Sequence, residues 1–241
     1  MLVTVLGFYG GYPYKGIGTS GYLLQNDGKN LLIDCGSGVL NSLSNYMQPT
    51  DLDAVVLSHY HHDHTADVGV LQYNWLAAKK ENPLPIYGHT QDFVNFAQLT
   101  EPNATKGIAY NDYEPTEIGT LKFEFLRTVH PVPAYAMRIT DSKGKVIVYT
   151  ADTTYFDGLV DFSKDADLLI ADTNFPDDVT GRKWHLNTRE AGTLAKDANV
   201  KRLMISHLPQ TVDVETMLSQ SQKYAGEIPV VNAFQGLEIE V

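Results

Sequence analysis

Residues 58–67 read SHYHHDHTAD, four histidines and two aspartates within ten positions, directly after the apolar run AVVL at 54–57. Imidazoles this crowded are costly to bury unless something shared satisfies them, because each desolvated polar group needs a hydrogen bond, a counter-charge or a metal. His59 and His61 stand two apart, so in an extended segment they project to the same side. Asp63 and His64 come at the turn into a helix and face a neighbouring position. The four divide into two pairs, which predicts two metal ions rather than one. A helical HExxH site differs: its i, i+4 histidines hold a single zinc.

Working outward, the other histidines and aspartates fall at the ends of β-type runs. LLID ends at Asp34, AVVLSH at His59, FLRTVH at His130, VIVYTAD at Asp152, LLIAD at Asp172 and RLMISH at His207. If these strands share a sheet edge, their ends converge, and side chains far apart in sequence surround one point. His62, whose neighbours face the other way, is not read as a ligand. His89 in IYGHTQ reads as a hydrogen-bonded surface residue. The single cysteine, Cys35, allows neither an internal disulfide nor a thiolate cluster. Imidazole and carboxylate donors alone suit zinc, with manganese and iron also compatible.

The chain has 241 residues, 43% hydrophobic and 20% charged, enough for an ample core. Short β runs alternate with helical segments at 37–47, 64–80, 90–99, 187–199 and 212–226; Asn187 and Thr188 are candidate caps, with Glu190 in the first turn. NDGKN and DSKGK read as hairpin turns. The reading is one domain, 1–241, of two similar halves, about 1–115 and 116–241, each β-rich and punctuated by helices. Two sheets face to face with helices outside would satisfy that order. Net charge is −11, opposite to the footprint of a protein that grips extended nucleic acid. A small anionic substrate fits better, since a dinuclear centre makes a local positive field. No apolar run is long enough for a bilayer, and MLVTVLGFYGG lacks the features of a signal peptide, so a cytoplasmic location without a membrane partner is expected.

HYHHDH matches the HxHxDH signature of the metallo-β-lactamase superfamily, and the downstream order His130, Asp152, His207 is similar to its remaining metal motifs. The resemblance covers nearly the whole chain. It implies an α/β (α+β) fold, the four-layer αββα sandwich, with two divalent ions at one edge. His59, His61 and His130 would bind the first ion and Asp63, His64 and His207 the second, with Asp152 bridging and Asp34 steadying the motif by hydrogen bonds.

Within the superfamily, LGFYGGYP, LLIDCGSG and WHLNTREAGTLAKDANVKRLMISHL resemble the ribonuclease Z branch. That resemblance puts His185, Asp63 and Asp172 in catalysis: His185 near the scissile phosphate, and Asp172 where the branch has a glutamate paired with that histidine. It also implies a homodimer. The chain departs from the branch in lacking its long Gly- and Lys-rich insertion, since only about 32 residues separate Asp152 from His185. The expectation is therefore a dinuclear hydrolase of a small or cyclic phosphodiester. A carboxylic ester, thioester or lactone hydrolase is the alternative, and tRNA 3′ cleavage comes below both. Tyr12, Tyr14, Thr19, Ser20 and Trp184 are candidates for the rim, where aromatic faces stack a base.

Overall fold

Apolar alternation and turn chemistry lay the strands into two sheets. The structure, a computed structural model, describes residues 1–241. Its first sheet contains β1 (Leu2–Tyr9), β2 (Gly18–Thr19), β3 (Gly21–Asn26), β4 (Lys29–Ile33), β5 (Ala54–Val56), β6 (Leu84–His89), β7 (Thr105–Tyr110) and the chain's last strand, Glu238–Glu240. That last strand lies beside β1, and the order continues β3-β4-β5-β6-β7, with β2 on β1. Asp27 and Gly28, both at positive φ, close the β3–β4 hairpin, as a two-residue turn of inverted hand requires. From β4 to β7 the neighbours are parallel. Parallel neighbours end on the same edge, so the residues after β4 and β5 meet: the Asp34 amide donates to Val56 O at 3.0 Å.

The second sheet contains β8 (Thr116–Ile118), β9 (Leu121–Arg127), β10 (Tyr135–Thr140), β11 (Val146–Tyr149), β12 (Leu168–Asp172), β13 (Leu203–Ser206) and β14 (Val230–Asn232), in the order β14-β13-β12-β11-β10-β9-β8; the strand Glu238–Glu240 is β15. β9, β10 and β11 are antiparallel neighbours, while β11 to β14 run parallel. β9 and β11 to β13 thus point the same way and deliver their C-terminal ends to one edge.

Two compact units result: residues 1–111, 116–120 and 234–240, and residues 112–115, 121–233 and 241. The first carries helices α1 (Val39–Leu43), α2 (His62–Thr65), α3 (Val68–Ala78) and α4 (Phe93–Ala97); the second carries α5 (Asp157–Ser163), α6 (Thr188–Asp197) and α7 (Val214–Ala225). In the first unit Leu6, Leu23, Leu32, Val55 and Ile86 from the sheet pack with Val39, Leu43, Leu71 and Trp75 from the helices. The helix expected at 64–80 is two helices. The chain breaks between them because Asp67 is pinned, its amide donating to Cys35 O and its carboxylate accepting from Leu40 N, both at 3.0 Å. No helix is long and apolar enough to cross a membrane.

Candidate metal centre

In the first unit a buried carboxylate decides how the histidine motif is presented. Asp34, just after β4, accepts from Ser58 N at 2.7 Å and Ser58 Oγ at 2.8 Å, and its Oδ2 lies 2.7 Å from His64 Nδ1. Ser58 Oγ spends its one proton on Asp34, so toward His59 Nδ1, 3.0 Å away, it can only accept. Both His59 and His64 therefore carry their proton on Nδ1, which leaves each Nε2 unprotonated. Both side chains are fully buried, with ring centroids 4.1 Å apart. His59 Nε2 is 3.2 Å from His61 Nδ1, and His64 Nε2 is 3.6 Å from Asp63 Oδ2. The Gly11 amide donates to Asp63 Oδ2 at 2.7 Å and restrains that carboxylate. Gly36 allows the motif to lie against the loop after β4, since a Cβ there would sit 2.1 Å from Asp63 O.

In the second unit Asp152, just after β11, faces two imidazoles: His130 Nε2 is 3.7 Å from its Oδ2 and His207 Nε2 3.4 Å from its Oδ1. His130 Nδ1 lies 3.2 Å from Trp184 O, which can only accept, so His130 also carries its proton on Nδ1 and leaves Nε2 unprotonated. Ala151 and His207 have positive φ, a strained conformation that aims strand-end side chains. His185 Nδ1 meets Asp172 Oδ2 at 2.9 Å, and its ring stacks on His207 at 4.9 Å between centroids. His185 stands ahead of α6, where Asn187 and Glu190 form a capping box and Glu190 also binds Lys183.

Charge and burial compete at this pair. Burial disfavours ionised Asp172, but the charges of His185 and His207 and their hydrogen bonds outweigh it and hold the carboxyl below its usual range. Burial likewise pulls His185 down, and the Asp172 charge and hydrogen bond lift it above the ordinary imidazole value.

The donor chemistry fits divalent ions. Unprotonated imidazole nitrogens face carboxylate oxygens at 3.6 Å in the first unit and 3.7 Å in the second, acceptor against acceptor. Without a cation between them such contacts repel, and two ligands about 2.0–2.2 Å from a shared tetrahedral ion stand roughly this far apart. In the second unit, ligand atoms of Asp152, Asp172, His185 and His207 all lie within 4.8 Å of one another. Cys35 is buried and stands in none of the clusters of ligand atoms; burial, then the charges of Asp67 and Asp34, push its thiol well up.

Two expectations need correction. His89 is buried rather than on the surface, its ring 4.4 Å from that of Tyr60 and 6.5 Å from that of Tyr110. Thr19 and Ser20 are fully buried, and Thr19 Oγ1 accepts from Ser37 N at 2.8 Å, so they cannot form a rim. Tyr12, Tyr14 and Trp184 are exposed, as is His62. Sequence reasoning missed Ser58, the Gly11 amide and the Trp184 carbonyl. A serine beside the motif was a faint signal for the first; backbone groups leave none.

Residues 29–208 match the family model described as the beta-lactamase superfamily domain. The chain is 50% identical over 214 residues to the probable metallo-hydrolase YhfI of Bacillus subtilis (strain 168), covering 87% of each chain. The crystal structure of that metallo-beta-lactamase fold protein matches with a TM-score of 0.95 and 44% identity, over 99% of this chain and 98% of the other. A ribonuclease Z of Methanosarcina acetivorans is 25% identical, covering 98% of this chain and 97% of its own. The fold is thus the metallo-β-lactamase fold.

Proposed function

The chain belongs to the beta-lactamase superfamily, as a metal-dependent hydrolase of its ribonuclease Z-like branch, and from that premise we propose that it hydrolyses a small or cyclic phosphodiester. In this reading the motif's side chains hold divalent ions, with His59, His61, Asp63 and His64 contributed by the first unit and His130, Asp152 and His207 by the second, the donor set favouring zinc. When bound, such ions supply an activated water near neutral pH and neutralise charge on the phosphate oxygens. Asp34 and Ser58 keep the Nδ1 protons of His64 and His59 turned inward. The Gly11 amide holds Asp63 in place.

The observation that carries the phosphodiester reading is the His185–Asp172 pair at 2.9 Å. A phosphodiester leaves an alkoxide that needs a proton, and His185 offers one. Its Nδ1 is tied to Asp172, its Nε2 is left for the leaving oxygen, and Asp172 stabilises the protonated ring. Carbonyl hydrolysis has no need of such a pair. The short path from Asp152 to His185 supports a small substrate, because it passes only α5 and β12 and carries no basic arm to hold a folded RNA.

A hydrolysis panel of bis-p-nitrophenyl phosphate, cyclic nucleotides, thioesters and lactones on metal-loaded protein separates the classes. His185→Ala should keep its metal and lose about 10²- to 10⁴-fold in kcat on a diester with a poor alkoxide leaving group. The loss should be much smaller for p-nitrophenolate, which departs unprotonated. Equal losses on both leaving groups would remove the proton-donor role.

A further inference from the structure

The Asp172 carboxylate has two oxygens and two imidazole neighbours. Oδ2 lies 2.9 Å from His185 Nδ1 and accepts from Thr153 N at 3.1 Å. Oδ1 is buried, and His207 Nδ1 lies 3.3 Å from it, close enough to donate. A desolvated carboxylate oxygen left without a donor is costly, and His207 Nδ1 relieves that cost only if it carries the proton. His207 Nε2 is then a bare lone pair, and it is this nitrogen that stands 3.4 Å from Asp152 Oδ1.

Resting on the reading of the site as a metal-dependent phosphodiesterase, we infer that Asp172 is a positioning residue shared by two rings, orienting the metal ligand His207 as well as the proton donor His185. The stacking of those rings, 22° between planes, follows from one carboxylate holding both by Nδ1. Neighbouring bonds fix the carboxylate and the ligand's backbone: Asp172 N donates to Thr150 Oγ1 at 2.9 Å, and Asn174 Nδ2 donates to His207 O at 2.8 Å. The same Asn174 nitrogen is 3.5 Å from His207 Nδ1, a longer approach that leaves the tautomer to Asp172. The first unit solves the same problem the same way, with Asp34 serving His64 directly and His59 through Ser58. In each unit one buried aspartate next to a sheet edge sets two imidazoles. At Asp172 one of the two is the proton donor, so loss of that carboxylate disables ion retention and proton delivery together.

The test compares Asp172→Asn with His185→Ala, using zinc affinity by chelator competition, the visible spectrum of cobalt-substituted protein, and kcat on good and poor leaving groups. Asp172→Asn should weaken the less tightly held ion by about 10- to 100-fold and shift the cobalt bands. His185→Ala should leave affinity and spectrum as in the wild type, while both variants lose turnover of the poor leaving group. Wild-type affinity and spectrum in Asp172→Asn would show that Asp172 serves His185 alone. An equal loss of affinity in His185→Ala would show general loosening instead. Should Asp172→Asn not fold, ¹⁵N NMR of the zinc-loaded wild type decides: His207 protonated at Nδ1 and slow to exchange supports the inference, and protonation at Nε2 overturns it. Absence of diesterase activity in the wild type would sink the functional reading while leaving affinity, spectrum and tautomer to judge Asp172.

Discussion

Asp34 and Ser58 determine which nitrogen of two imidazoles is left for a cation, and this makes Asp34 the most sensitive residue of the first unit. Asp34→Asn preserves shape but replaces one acceptor by an amide that donates. Depending on how that amide turns, it meets His64 Nδ1–H and Ser58 Oγ–H or it meets Ser58 N–H, so one donor always faces another. The expected cost is about 1–3 kcal/mol in stability of the metal-free protein. Zinc affinity should fall about 10- to 100-fold, as for other residues that orient a ligand from behind. Ser58→Ala should do less, since the Ser58 amide still reaches Asp34 at 2.7 Å and only His59 loses its partner. Thermal melts of stripped protein and a zinc titration measure both effects. Unchanged affinity in Asp34→Asn would show that the imidazoles are oriented by packing alone.

Elements act through their ends. Parallel β11, β12 and β13 bring Asp152, Asp172 and His207 to one edge, and at their opposite ends Asp167 joins the same strands. Asp167 accepts from Val146 N at 2.9 Å, Lys201 Nζ at 2.6 Å and Lys145 Nζ at 3.3 Å. Burial raises its pKa, but these partners outweigh burial and hold it below the usual carboxylate range. A group depressed in the folded state contributes stability that is present above its unfolded pKa of about 3.9 and lost as pH falls through the folded value. Asp167→Asn should thus cost about 1 kcal/mol at neutral pH, a modest figure because both lysines are solvent-screened. Urea melts of variant and wild type should converge as the medium is acidified toward pH ~3; a gap independent of pH would mean that the carboxylate's charge contributes nothing. Helices α6 and α7 touch at Gly192, where a Cβ would lie 2.5 Å from Ser221 O. Helix propensity favours Ala over Gly by about 1 kcal/mol, so a lower melting temperature in Gly192→Ala would isolate the steric term. The strand-end histidines and aspartates and the Asn187–Glu190 cap were legible in the sequence, because a ligand or a cap needs a particular residue type at a particular boundary. β7 and α5 were not, since TKGIAY carries polar residues and glycine and DGLVDFS is too short to show a period. The burial of His89 depends on Tyr60 and Tyr110, partners distant in sequence that no local pattern announces.

For the molecule as a whole, 18 basic residues against 29 acidic ones give a net charge of −11, and under the small-diester proposal this decides how an anionic substrate would be approached. A protein that grips several RNA phosphates releases counterions on binding, so its affinity falls steeply with salt, with a log–log slope of about −0.7 per phosphate neutralised on a single strand. Here the long-range field repels anions, and attraction is confined to the immediate surroundings of bound cations, within a Debye length of about 10 Å at 0.1 M salt. Added salt screens the repulsion and weakens the local attraction, and the two effects oppose one another. The kcat/KM for a small anionic diester should therefore change by no more than about threefold between 20 and 200 mM monovalent salt at fixed zinc. The expected result with pre-tRNA is slow nicking of unstructured RNA without efficient cleavage at a defined 3′ site. A neutral ester run in parallel controls for salt effects on the protein itself. A steep fall of kcat/KM with salt, accompanied by efficient and specific pre-tRNA cleavage, would mean that a basic surface dominates despite the net charge, and the small-diester proposal would give way to an RNA-processing one.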